Sequence, residues 1–72
     1  MDATQVTALV REYFDKVLLD TCPNQGFETI DISRFDFKEW EVECRVFSCT
    51  HSKMVDYKVI ISDDRMIVAN EV

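Results

Sequence analysis

Apolar residues recur at Val6, Leu9, Val10, Tyr13, Phe14, Val17 and Leu18, in steps of three and four. That period predicts one amphipathic helix, with Val6, Leu9, Val10, Tyr13 and Val17 inside a single arc and Phe14 and Leu18 widening it. Asp2 or Thr4 can cap its start, and Asp2 followed by Gln5 has capping-box spacing. Glu12 and Lys16 stand four apart in the favourable charge order. Pro23 disfavours helical geometry at Cys22, so the helix is expected to stop near Asp20 or Thr21.

After Gly26 the period falls to two. Ile30 and Ile32 alternate with Thr29, Asp31 and Ser33 in a short strand, and residues 34–39 read as a connector with Phe35 and Phe37 in it. A second strand runs from Trp40 to Ser48, with Trp40, Val42, Cys44 and Val46 on one face. A third runs from Val55 to Ile61, with Val55, Tyr57, Val59 and Ile61 sharing a side. A last strand covers Met66 to Asn70. The expected fold is α+β: one N-terminal helix packed on a three- to four-stranded antiparallel sheet, in two layers, residues 1–72 forming a single domain.

The register of the central hairpin follows from charge. Both apolar faces must meet the helix. One register puts Arg45 opposite Lys58; the other puts Arg45 opposite Asp56 and Glu43 opposite Lys58. Opposite charges across a strand pair attract and like charges repel, which selects the second. Residues 49–52 are then the hairpin loop. Val10, Tyr13, Val17, Val42, Cys44 and Val59 are expected to be buried together, and Tyr13, Tyr57, Phe14 and Trp40 to meet beneath the helix.

The order of helix, I-x-I (Ile30, Ile32), W-x-V-x-C (Trp40, Val42, Cys44), Y-K-V-x-I (Tyr57 to Ile61), turn and final apolar strand resembles the small PepSY-type module across roughly residues 6–70. The resemblance is one of architecture and strand pattern. It implies the helix-on-sheet layout and an extracytoplasmic, peptidase-modulating role. The Asp63-Asp64-Arg65 turn departs from that pattern in lacking glycine.

Composition narrows the function. Among 72 residues, 14 are acidic and 8 basic, for a net charge of −6. Phosphate repels such a chain, so nucleic acid is not an expected partner. No apolar run is long enough for a membrane span. Three cysteines, Cys22, Cys44 and Cys49, make an odd set, read as free thiols in a cytoplasmic setting. Cys49 and His51 could form an activated thiol pair, the basis of a thiol enzyme or redox sensor. No third orienting residue or metal-ligand set accompanies them, so no catalytic residue, cofactor or metal is expected. A small-ligand binder, with the ligand between helix and sheet, is a further alternative.

The outer face of the sheet carries the principal expectation. Phe47 and Met54 face each other in the chosen register, and Ile60 lies further along. A two-residue final turn adds Ile67; a four-residue turn adds Met66 and Val68 instead. Such a patch marks an interface. The expected function is therefore a small non-catalytic interaction or adaptor module working through a sheet surface, most simply as a homodimer, with Phe47, Met54, Ile60 and Ile67 at the interface. Residues 34–39, with Phe35 and Phe37, could instead fold back over the patch.

Overall fold

The computed structural model describes residues 2–72, with all of their side chains except that of Phe35. One helix, α1 (Ala3–Lys16), precedes four strands: β1 (Phe27–Asp36), β2 (Glu39–Ser48), β3 (Lys53–Ser62) and β4 (Ile67–Glu71). The strands form one antiparallel sheet in the order β1-β2-β3-β4. The two-layer α+β expectation holds.

Asp2 caps α1 through a reciprocal pair. Its Oδ1 accepts from the Gln5 amide at 2.8 Å, and its own amide donates to Gln5 Oε1 at 3.1 Å. Two helix-start donors are thereby satisfied without solvent. The helix ends at Lys16, four or five residues earlier than expected, because the next segment is recruited elsewhere. Thr21 Oγ1 lies 2.8 Å from the Phe14 carbonyl and 2.7 Å from that of Leu18, so its single proton serves the open helix end. The Cys22 amide donates to the Phe47 carbonyl at 2.7 Å, and the Cys49 amide to the Asp20 carbonyl at 2.9 Å.

This early stop corrects the helix face. Val6, Val10 and Phe14 are fully buried, Tyr13 is half-buried, and Val17 is 58% exposed. Val17 has the right angular position but sits at the C-cap, past the last turn that rests on the sheet. Opposite the helix, Val42, Cys44 and Val46 of β2 and Val59 and Ile61 of β3 are fully buried. The Phe14 ring lies 5.0 Å from that of Tyr57 and 6.3 Å from that of Phe27. Trp40 does not join this aromatic group. It packs against the core further along, with the Arg34 guanidinium 5.7 Å over its ring.

The β2–β3 register is the one that charge selects: Arg45 faces Asp56, Glu43 faces Lys58, and residues 49–52 form the loop. The first strand is longer than expected. Arg34 to Asp36 belong to β1, which turns at Phe37-Lys38 directly into β2. The alternation of Arg34-Phe35-Asp36 hid this, because the strand breaks register twice, between Thr29 and Asp31 and between Arg34 and Asp36. Each extra residue shifts the faces and spoils the period-two signal.

Candidate functional site: the outer sheet face

Alternation puts the odd-numbered residues of β2 and the even-numbered residues of β3 on the side away from α1. Five rows cross that face. Phe47 pairs with Met54. Glu28, Arg45 and Asp56 form the next row; Asp31, Glu43, Lys58 and Asn70 the third; Ser33, Glu41, Ile60 and Val68 the fourth; Asp36, Glu39 and Ser62 the fifth. The apolar residues therefore lie in the first and fourth rows, with two charged rows between them. A single contiguous patch was expected from Phe47 to Ile60, and the register divides it.

Ile67 is also placed differently. Residues 63–66 connect β3 to β4, so Ile67 lies opposite Ile61 on the helix side and packs against the core. Val68, opposite Ile60 and 52% exposed, occupies the outer position. Met54 tucks its thioether toward Gly26: a methyl there would come within 3.0 Å of the sulfur and 3.4 Å of Phe47 Cβ. Gly26 thus lets Phe47 and Met54 sit low against the loop before β1. Phe37 is 84% exposed and covers none of these residues. The side chain of Phe35, the other half of the proposed cover, lies outside the described part.

Charge dominates what remains. Glu28, Asp31, Asp36, Glu39, Glu41, Glu43 and Asp56 share the outer face with two cations, Arg45 and Lys58. Arg45 Nε donates to Asp56 Oδ1 at 2.7 Å, and Lys58 Nζ reaches diagonally to Glu41 Oε1 at 3.1 Å. Lys58 faces Glu43 in register, yet its ion pair is with Glu41. Glu43 is left opposite Asp31, two carboxylates directly across a strand pair, and neither has an ion-pair partner among the described residues. Like charges in this position destabilise a sheet. The Arg45 hydrogen bond holds the Asp56 carboxyl below its ordinary range, and the bond to Glu41 raises the Lys58 ammonium.

The cysteines depart from the expectation of three free thiols. Cys22 and Cys49 form a disulfide, with Cα atoms 5.7 Å apart. The backbone bonds that carry residues 20–22 along the end of β2 bring the two side chains together. Cys44 alone is free, and it is fully buried. Burial, with a smaller contribution from the Asp56 charge, pushes its thiol up to about 12. The odd count concealed the pair, although Cys44 alternates with Val42 and Val46 as a core residue and could have been set aside first.

With Cys49 in the bridge, no thiolate faces His51. His51 instead caps the end of β2: its amide donates to Ser48 Oγ at 3.2 Å, and its Nδ1 lies 3.2 Å from the same oxygen. Ser48 is buried and offers no accessible hydroxyl. The residues between helix and sheet are close-packed, and the hollows lined by described residues lie at the surface, as beside Gln5, Ala8, Leu9, Glu12 and Arg65. No group of three or more potential metal ligands occurs among the described residues, and no described helix is long and apolar enough to cross a membrane. Compared with protein-family models, curated proteins and solved structures, the chain matches none of them.

Proposed function

We propose that this chain is a small non-catalytic interaction module that works through the outer face of its sheet, and that its partner presents lysine and arginine side chains there. The observation that carries the reading is Asp31 opposite Glu43, neither of them in a salt bridge among the described residues, amid an outer face with an excess of five negative charges. A basic partner relieves that repulsion on binding, and the field of the face speeds its approach. Phe47 with Met54 on one side of the two central charged rows, and Ile60 with Val68 on the other, supply apolar contact. A homodimer formed face to face would bring the same excess of carboxylates against itself, which counts against that form of self-association.

The disulfide ties up the Cys49 thiol that the thiol-enzyme alternative needs, and room for a ligand beside helix and sheet is confined to open surface hollows such as the one lined by Leu9, Tyr13 and Ile67. The same disulfide favours an oxidising compartment over the cytoplasmic setting that free thiols implied. The PepSY-type resemblance contributes a layout to this reading and no partner.

Amide-shift mapping tests it. Titration of the isotope-labelled chain with a short peptide rich in lysine and arginine is expected to move resonances of Asp31, Glu41, Glu43 and Lys58 first. Shifts confined to α1, or none at all, would rule the face out.

A further inference from the structure

The two strands that end the sheet are built differently. β1 breaks register twice and carries Glu28, Asp31, Arg34 and Asp36 along its length. Bulges and charges keep an edge from pairing with another chain. β4 has neither protection over most of its length. It pairs with β3 without a register shift, and Ile67, Val68, Ala69 and Asn70 are uncharged. The Ser62 amide donates to the Met66 carbonyl and the Val72 amide to the Asp56 carbonyl, each at 2.9 Å. Antiparallel ladders alternate, so the even-numbered residues exchange bonds with β3. Ile67, Ala69 and Glu71 therefore turn their N–H and C=O groups to the open side. Beside this edge, Leu9, Glu12, Tyr13 and Lys16 of α1 and its cap Val17 line a hollow together with Arg65 and Ile67.

We infer that the open edge of β4 pairs antiparallel with β4 of a second copy, with the two Val68 residues facing each other at the two-fold axis. Charge chooses this register. It brings the side chain of Arg65, in the turn that precedes β4, toward Glu71 of the second copy, and by symmetry Glu71 toward Arg65 of the second copy. A shift by two residues in either direction moves Arg65 and Glu71 apart. In the chosen register Ile67 meets Ala69 of the second copy on the helix side. Leu9, Tyr13 and Val17 flank that contact from both copies, because a two-fold axis perpendicular to the sheet keeps both helices on one face. The open backbone groups of Ile67 and Ala69 gain partners. The bulged β1 strands lie at the outer ends of an eight-stranded sheet, so the assembly closes at two copies. This inference is independent of the basic-partner reading, since pairing at the edge leaves Asp31, Glu41 and Glu43 free.

Sedimentation equilibrium of the full chain over a concentration series tests it. The expected mass is twice 8.4 kDa. Arg65→Glu and Glu71→Arg should each weaken the dimer about tenfold, counting two affected pairs by symmetry, and the double swap should restore it. Ala69→Pro should abolish it while leaving the β3 ladder and the circular dichroism spectrum intact, because that N–H points outward. The charge swap decides the matter even where the proline variant fails to fold. A chain that stays at 8.4 kDa at every concentration overturns the inference. So does a dimer indifferent to both charge reversals, or one dissociated by Glu43→Lys instead.

Discussion

Arg45 and Asp56 face each other across the central hairpin, joined by an Nε–Oδ1 hydrogen bond of 2.7 Å on the solvent side of the sheet. The bond lowers the Asp56 carboxyl below its ordinary value of 3.8. A carboxyl depressed in the folded state contributes stability that is present above the unfolded value and lost as pH falls through the folded one. The difference in unfolding midpoint between the wild type and Asp56→Asn should thus be constant near neutrality and narrow below about pH 4. Both groups are exposed, so the effect is small. A difference that widens toward low pH would contradict the assignment.

Removing the disulfide should cost much more. Cys22 and Cys49 are separated by 27 positions, and closing a loop of that length restricts the unfolded chain by about 3.5 kcal/mol. Urea unfolding of the Cys22→Ser, Cys49→Ser double variant should show a loss of that order, a large share of a small domain's stability. A loss under about 0.5 kcal/mol would mean that the backbone bonds of residues 20–22 alone hold the segment.

Cys44 should resist alkylation in the folded protein. It is fully buried, and its thiol is raised to about 12, so almost no thiolate exists at pH values where alkylating agents react. Labelling followed by mass measurement should add nothing to the native oxidised chain and one group in denaturant. Rapid native labelling would place Cys44 on the wrong face.

Phe14→Ala and Val17→Ala separate the two readings of the helix face. Phe14 is fully buried between Tyr57 and Phe27, and its truncation should cost about 3–5 kcal/mol. Val17 is exposed at the helix cap and should change stability by less than about 0.5 kcal/mol. Equal losses would restore the expected arc, in which Val17 is buried with Val10 and Tyr13.

Much of this fold is legible in the chain itself. The period-two alternation from Trp40 to Ser48 and from Val55 to Ile61 identifies the central strands, and the Arg45, Asp56, Glu43 and Lys58 charges select their register. What escapes is set by contacts distant in sequence. Thr21 ends the helix by reaching back to Phe14 while its neighbours pair with β2, and no local pattern announces that. The same pairing brings Cys22 to Cys49. On the outer face the division of the apolar positions follows from that same register, since the Arg45–Asp56 and Glu43–Lys58 pairs fall between Met54 and Ile60, and the single patch expected there overlooked it. Ile67 reaches the inner side because the last turn spans four residues rather than two, and Ser62-Asp63-Asp64-Arg65 fits either length.

Asp31 and Glu43 give the most direct measurement of the central proposal. Asp31→Asn removes a like-charge pair and should stabilise the chain by a few tenths of a kcal/mol. The same change should weaken a basic partner, as expected where a strained face serves binding. Calorimetric titration of the wild type, Asp31→Asn and the Glu41→Lys, Glu43→Lys double variant with a lysine- and arginine-rich peptide, at low and at near-physiological salt, reads both effects. The expected result is binding by the wild type that weakens with salt, weaker binding by Asp31→Asn, and none by the double variant. Equal affinity in all three proteins, or affinity indifferent to salt, would contradict a role for the outer sheet face in recognising a basic partner.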